Sequence, residues 1–330
     1  MTKHKILSFG ELLLRLSSSG SSFLGENSQV VVFPGGSEAN VAASLGQLGI
    51  ACSYLSRVPD NELAWQALSA LKDLGVDVST TLFEGDRLGL YFLLSANGLS
   101  KGDVVYDRKY STFSQLQPGE IDWETMLADY TWLHWSALTP ALSAPLAAVC
   151  QEALEVAYRK GLVVSVDLNY RNKLWNYGQQ PIEVMPSLLQ YCDVVMGNIW
   201  AANKMVGSSV LETLTRDTPS EVYFEHAKDS AQEVFELLPR CKHVAYTFRF
   251  MDSATHNLLY GTYHTREADY ISSINETNNV VDRIGSGDAF MAGLIYALVN
   301  DKDGQDIIDT ATAAGFKKLF VKGDFGNGNL

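Results

Sequence analysis

A short turn late in the chain combines two glycines, a serine and a carboxylate: Gly285-Ser286-Gly287-Asp288, followed by a strong helix-forming run over 289–299. A glycine turn that leads into a helix directs free backbone N–H groups at one point, where an anion can bind. A carboxylate at that point would repel a phosphate, so phosphate binding alone does not explain Asp288. We infer a base that takes the proton from a hydroxyl as the hydroxyl attacks a phosphoryl group.

This turn lacks two common phosphate-loop patterns. Phe290 occupies the last position of a GxGxxG match, and no lysine follows as GxxxxGK[ST] requires. The alternative interpretation is an ordinary helix start, with Ser286 as the N-cap and Asp288 stabilised by the helix dipole.

A second glycine motif, Pro34-Gly35-Gly36-Ser37-Glu38-Ala39-Asn40, precedes a helix predicted over 37–48, with Ser37 as a candidate cap. Glycines let a ligand approach the backbone closely, and Asn40 offers both a donor and an acceptor to a polyol hydroxyl. Taken alone, this motif is also consistent with a plain strand-to-helix turn.

The elements that must position these motifs alternate clearly from about residue 130. Strands are predicted at 131–135, 162–167, 192–196 and 243–248, and helices at 144–160, 182–190, 221–237, 289–299 and 305–321. Such alternation implies a buried, mostly parallel sheet with right-handed crossovers. Polar residues follow several strands, at 167–171, 197–198 and 282–288. Ligands of open α/β sheets gather at that edge.

The first third of the chain has a different rhythm. Strands are predicted at 6–9, 12–16, 30–33 and 54–58, a loop at 17–22 and a helix at 62–74. Three further strands, at 80–84, 89–95 and 103–108, have no helix between them. They predict a small additional sheet, a candidate lid.

Together the two glycine motifs resemble the signatures of the PfkB, or ribokinase-like, family of carbohydrate kinases. Residues 35–40 resemble the N-terminal signature and residues 282–290 the C-terminal one, and the likeness covers essentially the whole chain. The resemblance implies one α/β domain over 1–330, a ribokinase-like three-layer domain with a mostly parallel central sheet flanked by helices. A small β-sheet lid would be built from about 12–33 and 89–113. The implied reaction transfers the γ-phosphoryl group of ATP to a sugar hydroxyl, with Mg²⁺.

The resemblance also implies residue roles. Asp288 would be the catalytic base, and Gly285, Ser286 and Gly287 would form the anion hole. The implied nucleotide contacts are Asn198, Thr247, Arg249, Asp282, Gly285 and Gly287.

Three positions depart from the family pattern. Arg283 stands where threonine usually follows the first aspartate, and Arg249 stands in a strand that usually ends Thr-Leu-Gly. An Asn-x-x-Glu motif keeps Asn198 but has Ala201 in place of the glutamate. Mg²⁺ would then rely more on phosphates and waters, and no metal ligand is assigned.

The substrate is selected outside the signatures. Two arginines close to one small sugar suggest a carboxylate, which a guanidinium binds bidentately. The arrangement resembles family members that phosphorylate 2-keto-3-deoxygluconate (2-dehydro-3-deoxygluconate) on its 6-hydroxyl. By that resemblance the substrate contacts are Gly35, Gly36, Asn40, Tyr91, Tyr106, Arg108, Asn169 and Arg171.

Other interpretations stay open at this point. Arg108 and Arg171 could instead form surface ion pairs, and the enzyme could phosphorylate a neutral sugar such as fructose or ribose. A non-catalytic sugar-binding regulator is a further alternative. A nucleotide-binding oxidoreductase is disfavoured because the dinucleotide fingerprint is missing.

Composition bounds the class of protein. The chain of 330 residues is 46% hydrophobic and 19% charged, which is typical of a globular protein with a substantial core. Its net charge of −13 without a basic run argues against nucleic-acid binding. No apolar run reaches the roughly 18 residues that span a bilayer, and the first residues lack signal-peptide features. We therefore expect a cytoplasmic protein without a membrane partner.

Further expectations concern assembly, thiols and the tail. Scattered cysteines beside apolar residues predict reduced, buried thiols at Cys52, Cys150, Cys192 and Cys241. A homo-oligomer, a dimer through the lid or a larger assembly, is predicted from the apolar lid residues Phe23, Leu24, Val31, Phe33, Tyr91 and Phe92. The segment 322–326 either borders the adenine pocket or is a frayed end.

Overall fold

Apolar strands alternate with helices along most of the chain, as the sequence predicts. The computed structural model describes residues 4–18, 23–25, 28–94 and 104–330. Its strands are β1 (Lys5–Phe9), β2 (Leu13–Ser18), β3 (Val30–Gly35), β4 (Ala51–Leu55), β5 (Arg57–Val58), β6 (Leu82–Phe83), β7 (Gly89–Leu93), β8 (Val104–Asp107), β9 (Trp132–Ser136), β10 (Val163–Asp167), β11 (Val194–Gly197), β12 (His243–Phe250), β13 (Asn257–His264), β14 (Asp269–Ile271) and β15 (Asn275–Thr277). Its helices are α1 (Ser37–Gln47), α2 (Glu62–Asp73), α3 (Trp123–Met126), α4 (Ala144–Arg159), α5 (Pro181–Leu189), α6 (Ile199–Val206), α7 (Ser220–Leu237), α8 (Ser286–Val299) and α9 (Gly304–Lys318).

The central sheet has nine strands in the order β14-β13-β12-β11-β10-β9-β1-β4, with β15 paired to β13. All pairs from β12 to β4 are parallel, and the pairs that involve β13 are antiparallel. The prediction of a mostly parallel sheet is therefore confirmed. Because the parallel strands run in one direction, their carboxyl ends meet at one edge, where the polar segments after β10 and β11 lie.

Helices cover both faces of this sheet. One apolar core joins the sheet to residues of α4, α5, α6 and α7, and the other joins it to residues of α1, α2, α8 and α9. Neighbouring residues of β1 alternate between the cores, with Ile6 in one and Leu7 in the other. This alternation explains why the parallel strands are apolar on both faces. The four cysteines are free and buried, as predicted.

The antiparallel edge of the sheet was not predicted. Three strands, β13, β14 and β15, lie between β12 and the turn before α8, where no element is predicted. Nearly every residue of β13 is buried, so the strand lacks the alternation of apolar and polar residues that reveals a half-exposed strand. The short helix α6 was also missed.

The prediction for residues 54–58 and 80–84 is wrong in part. The first segment is split, because β4 ends at Leu55 and β5 begins at Arg57. β5 pairs with β6 in a separate two-stranded sheet, so residues 80–84 do not belong to the lid. The predicted loop at 17–22 begins later than expected, since β2 extends to Ser18, and residues 19–22 lie outside the described part of the chain. The same is true of residues 95–103, where two predicted strands were expected to end and begin.

A separate sheet of four strands, in the order β3-β2-β7-β8, is the small sheet expected as a lid. Cross-strand partners share a face, which sorts its residues into two sides. One row runs across the inner face of the sheet: Phe33, Arg15, Tyr91 and Tyr106. Tyr91 and Tyr106 of this row line the cleft described below. The next row lies on the opposite, outer face: Val32, Leu16, Phe92 and Val105.

This register corrects the residues on which the predicted dimer was based. Phe33 and Tyr91 share the inner face with the buried Arg15, and Val31 is on the same side because it alternates with Val32. Phe92 lies on the outer face, where the ring of Phe23 packs edge-on against it at 5.7 Å. Sequence alternation alone did not reveal which side faces inward. Within the described residues, no helix has the length and apolar character needed to cross a membrane.

Candidate active site

The predicted anion-binding turn forms the start of α8. Gly285 is the residue before the helix and has a left-handed φ of 82°, and Ser286 is the first helical residue. The N–H groups of Gly287 and Asp288 lie in the first turn, where no helical carbonyl precedes them as an acceptor. Within the described part of the chain, a Cβ added at Gly287 would meet nothing within 4 Å, so open space adjoins the first turn of α8. Ser286 does not cap the helix, because its hydroxyl donates to the carbonyl of Gly315 at 2.9 Å.

The first turn of α1 contacts Asp288 directly. Ser37 donates to Asp288 Oδ1 at 2.7 Å, and Asn40 donates through Nδ2 to Asp288 Oδ2 at 2.6 Å. The two glycine motifs, separated by 248 residues from Asn40 to Asp288, therefore meet at one carboxylate. The expectation that Ser37 caps α1 is wrong. Gly36 precedes the helix without a side-chain cap, and the Ser37 hydroxyl binds the carboxylate instead.

Asn169, in the segment after β10, extends the hydrogen bonds around Asp288. Asn169 has a positive φ of 27°, and its backbone N–H donates to Asp167 Oδ1 at 2.9 Å. Its side-chain Nδ2 donates to the Ser37 hydroxyl at 3.0 Å. A chain of hydrogen bonds thus runs from Asn169 through Ser37 to Asp288, and it fixes the orientation of the carboxylate.

A cleft of about 410 Å³ opens between the carboxyl edge of the central sheet and the inner face of the small sheet. It brings together nearly all residues predicted for the site: Gly36, Asn40, Tyr91, Tyr106, Arg108, Asn169, Arg171, Asn198, Thr247, Arg249, Asp282, Gly285, Ser286, Gly287 and Asp288. Gly35 is not part of the lining. It is buried beside Asp324, whose Oδ1 would lie 2.2 Å from a Cβ at this position.

Four arginines line the cleft and are held differently. Arg108 is buried and donates through Nε to Glu11 Oε2 at 2.6 Å. Arg171 is exposed and donates through Nη1 to its neighbour's carbonyl at 2.9 Å. Among the described residues, no carboxylate pairs with Arg171 at ion-pair distance. Arg283 is buried and donates to the carbonyls of Ser253 and His256, so the residue that departs from the family pattern braces the loop after β12.

Arg249 is the fourth cation. It keeps access to solvent, although the cleft removes part of the water around its head group. This desolvation, followed by the charges of Arg171 and Arg283, lowers the pKa of Arg249 to about 10. The side chain therefore remains cationic at neutral pH, and Arg171, Arg249 and Arg283 give this end of the cleft a positive potential.

Burial perturbs three carboxyl groups near the turn. It raises the pKa of Asp288, while hydrogen bonds from Asn40 and Ser37 and the charges of Arg171 and Lys318 oppose that shift. Burial and the neighbouring charge of Asp288 raise the pKa of Asp167 to about 7. Burial likewise raises the pKa of Glu38 to about 7, and the hydroxyl of Ser136 donates to this carboxyl. Such shifts are common at functional sites.

Three of the residues expected to contact nucleotide, Asn198, Thr247 and Asp282, already have protein partners. Asn198 caps α6 by accepting from the N–H of Ala201 at 2.8 Å, and Thr247 donates to the carbonyl of Gly197 at 3.2 Å. Asp282 accepts from the N–H of Ile284 at 3.0 Å and from both terminal nitrogens of Arg15 at 3.2 and 2.6 Å. Within the described residues, no group of three or more His, Cys, Asp or Glu side chains is arranged to hold a metal ion.

Sequence reasoning missed two charged residues of the cleft region, Arg15 and Asp324. Both are buried, and Asp324 lies in the segment 322–326, for which the sequence predicts either a pocket border or a frayed end. It borders the cleft and is not frayed. A lone arginine within the apolar strand Leu13-Leu14-Arg15-Leu16 was the available signal, because a buried charge requires a partner.

The chain is similar to known proteins over nearly its whole length. The profile described as pfkB family carbohydrate kinase matches residues 3–324. The crystal structure of 2-dehydro-3-deoxygluconokinase from Thermotoga maritima superposes with a TM-score of 0.86 at 35% identity, covering 98% of this chain and 95% of that chain.

Two curated relatives are similar over nearly their full length. The 2-dehydro-3-deoxygalactonokinase of Haloferax volcanii is 26% identical over 323 residues, which cover 97% of this chain and 92% of that protein. The 2-dehydro-3-deoxygluconokinase of Bacillus subtilis is 26% identical over 324 residues, which cover 96% of this chain and 90% of that protein.

Proposed function

Because the chain belongs to the pfkB family of carbohydrate kinases, we propose that it transfers the γ-phosphoryl group of ATP to the 6-hydroxyl of 2-dehydro-3-deoxygluconate. The observation that carries this proposal is that Arg108 and Arg171 line the same cleft as Asp288. Relatives with names of this kind support the substrate class.

The two arginines would bind the sugar carboxylate in different ways. Arg171, exposed and without a carboxylate partner among the described residues, supplies the uncompensated positive charge. Arg108 is already paired with Glu11 through Nε, so it contributes directed donors more than net charge. A guanidinium has five N–H donors, and the Glu11 contact uses only one. Tyr91 and Tyr106 would lie over the sugar from the small sheet, which acts as the lid.

Asp288 would act as the general base. As the 6-hydroxyl oxygen attacks the γ-phosphorus, its O–H proton passes to Asp288, a new O–P bond forms, and the bond to the β-phosphate oxygen breaks. ADP leaves with that electron pair. The transition state is loose and spreads charge over the phosphoryl oxygens, which the N–H groups of Gly287 and Asp288 are oriented to stabilise.

The hydrogen bonds to Asp288 serve this role. Ser37 and Asn40 each donate to one carboxylate oxygen, and Arg171 and Lys318 also favour its ionised form. These contacts oppose the effect of burial, which raises the pKa of Asp288. They favour the ionised carboxylate that a general base requires.

ATP would bind next to the sugar in the same cleft, with its phosphates near Arg249 and the turn at 285–287. Mg²⁺ would neutralise phosphate charge there. Both oxygens of Asp282 accept hydrogen bonds within the protein, and the side-chain oxygen of Asn198 caps α6. We therefore propose that the ion enters with ATP and is held mainly by phosphates and waters.

A neutral sugar is the second candidate substrate, and one observation favours it. The ion pair between Arg108 and Glu11 removes one of the two positive charges that a sugar acid would need. Some curated relatives, such as fructokinase-2 of Solanum lycopersicum at 26% identity, carry names of that type.

A coupled ADP-release assay tests the proposal. The acceptors are 2-dehydro-3-deoxygluconate, its galactonate epimer and fructose. We expect turnover on a sugar acid, and we expect Arg171→Ala to raise the KM for that acid about 10- to 100-fold, since a hydrogen bond to a charged group contributes roughly 1.5–3 kcal/mol. Arg159→Ala, which changes an exposed arginine on α4, is the matched control. Preferential turnover of fructose with a harmless Arg171→Ala would overturn the sugar-acid assignment.

A further inference from the structure

Four charged side chains lie between the small sheet and the turn that begins α8. This charge cluster consists of the buried residues Arg15, Lys318 and Asp324 together with Asp282, whose side chain is 12% exposed. The terminal nitrogens of Arg15 donate to both oxygens of Asp282 at 3.2 and 2.6 Å, and its Nε lies 3.0 Å from Asp324 Oδ2. Lys318 donates to the carbonyls of Val321 and Gly323 at 3.0 and 2.8 Å. The cluster thus contains two cations and two carboxylates. Each charge has a partner of opposite sign nearby, and a buried charge without such a partner would be strongly destabilising.

Asp324 makes close contact with both glycine motifs. Its Oδ1 would lie 2.2 Å from a Cβ at Gly35, and its carbonyl oxygen would lie 2.3 Å from a Cβ at Gly285. Only glycine permits this approach on either side. One residue therefore packs against the N-terminal motif through its side chain and against the C-terminal motif through its backbone.

Asp282 connects the same cluster to the backbone of the turn. Its two oxygens accept from the N–H groups of Ile284 and Gly323, each at 3.0 Å. Burial alone would raise the pKa of Asp282, but the hydrogen bond and charge of Arg15 lower it below the ordinary value. Asp282 therefore connects Arg15 to the backbone just before the turn at 285–287.

The cluster is also in contact with the inner face of the small sheet. Arg15 is the cross-strand neighbour of Tyr91, which is in turn the neighbour of Tyr106. The Tyr91 hydroxyl donates to Asp324, and the Arg15 guanidinium lies 4.5 Å from the centre of the Phe33 ring. A sugar that contacts Tyr91 and Tyr106 would therefore act on the same strand row that carries Arg15.

We propose that Arg15 and Asp324 are positioning residues that join the lid to the anion hole. A sugar held against Tyr91 and Tyr106 fixes the lid, and the Arg15–Asp282 and Arg15–Asp324 contacts then hold the turn so that its N–H groups meet the phosphoryl group. The inference rests on the proposed kinase function and assigns to residues outside both signatures a part in completing the site.

Substitution of Arg15 separates this role from sugar binding. Arg15→Lys keeps the charge but cannot bind two carboxylates with a planar fork. We expect kcat to fall by about tenfold or more, with the KM values for acceptor and ATP within about threefold of wild type. Arg87→Lys is the matched control. Arg87 also pairs bidentately with one carboxylate, that of Asp107 at the end of β8, but this pair is partly exposed. The acceptor is whichever carbohydrate the wild-type protein phosphorylates best, so a wrong sugar-acid assignment leaves this test intact.

Asp324→Asn supplies an independent measurement if the Arg15 variant does not fold. Burial raises the pKa of Asp324 to about 7, and the groups that face it are Arg15 on β2, Tyr91 on β7, Asp282 in the turn and Lys318 on α9. In the wild type, protonation of Asp324 below pH 7 weakens its pairing with Arg15 and lowers kcat. We expect Asp324→Asn to lower the plateau of kcat and to remove this titration from the pH profile. A profile of unchanged shape, or an Arg15→Lys variant that is folded and keeps kcat within twofold, overturns the proposal.

Discussion

At the scale of single residues, Asp288 is the side chain around which the polar contacts of the cleft are arranged. Both of its oxygens accept hydrogen bonds from α1, and Asn169 extends that network to the end of β10. A carboxylate held in one orientation loses little entropy when it accepts a proton from a positioned hydroxyl. The proposed role of Asp288 as a base therefore requires a carboxylate, and a side chain of the same shape without that group would not be sufficient.

Asp288→Asn tests that role. The amide keeps the shape of the side chain but cannot accept the proton, so we expect kcat to fall about 100- to 10,000-fold. Sugar binding measured by titration calorimetry should persist, because the contacts from the arginines and tyrosines remain. Unchanged turnover would remove Asp288 from the mechanism.

The motif residues of the cleft were predictable, and the cluster behind them was not. Asp288, Asn40 and Gly287 carry local patterns that the sequence displays directly. Arg15 and Asp282 are separated by 267 residues, and no local pattern announces their contact. Buried ion pairs of this kind depend on the tertiary fold, whereas glycine turns depend on their own few residues.

At the scale of elements, the two turns need glycine for different reasons. Gly35 and Gly285 are approached by Asp324, whereas Gly287 adjoins open space. We expect Gly35→Ala to lower the melting temperature, because the new Cβ would lie 2.2 Å from a buried carboxylate oxygen.

Gly287→Ala is the matched comparison. Its Cβ would meet no atom of the described residues within 4 Å, and alanine is a better helix former than glycine by up to about 1 kcal/mol. The melting temperature should stay the same or rise slightly, while turnover should fall because the methyl group occupies the space in front of the N–H donors. Equal losses of stability in both variants would contradict this distinction.

The first turn of α1 also gives the fold a pH-dependent stability. Glu38 is fully buried, and burial raises its pKa from the ordinary value of 4.5 to about 7. The folded state therefore holds the proton more tightly than the unfolded chain. The stabilisation is complete below about pH 4.5 and is lost as the pH rises towards 7.

We expect Glu38→Gln to reduce this loss. Between pH 5 and pH 8, the unfolding free energy of the wild type should fall by about 2 kcal/mol more than that of the variant, since one pKa unit corresponds to about 1.4 kcal/mol. Urea titrations at the two pH values measure the difference. Glu267→Gln, at an exposed position, should behave like the wild type. The same pH dependence in wild type and Glu38→Gln would refute the assignment.

Elements with a clear period were predicted well, and those without one were missed. The βα alternation after residue 130 agrees with the structure, and the helices at 62–74 and 221–237 match α2 and α7 to within one residue at each end. The ends of the last two helices were less accurate, because α8 begins three residues earlier and α9 ends three residues earlier than predicted. β13 is buried on both faces and lies in an antiparallel hairpin, so neither alternation nor a flanking helix indicated it. Whether β6 belongs to the lid or to a separate sheet depends on its pairing with β5, and a local sequence pattern does not show such a pairing.

At the scale of the whole molecule, the outer face of the small sheet is the apolar surface that suggests assembly. Val32 and Val105 are 50% and 48% exposed and lie at the two ends of the row that contains Leu16 and Phe92. Burial of such a row against a second copy would remove apolar area from water at about 25 cal/mol per Å². The dimer through the lid thus remains our prediction, based on this outer row.

Light scattering at micromolar concentration tests the assembly. We expect a mass of at least a dimer for the wild type and a shift towards monomer for Val32→Lys combined with Val105→Lys. Val222→Lys, which places the same charge on an exposed position of α7, should leave the mass unchanged. A monomeric wild type would exclude the dimer.

The long sequence separation between the residues of the cleft has a consequence for how activity develops during folding. Contacts such as Asn40–Asp288 close loops of 248 residues, and chains with many distant contacts fold slowly because loop closure must precede their stabilisation. Helices and neighbouring parallel strands can form while the small sheet is still detached from the rest. In a refolding experiment, catalytic competence should therefore return in the slowest phase, after most of the circular dichroism signal has recovered.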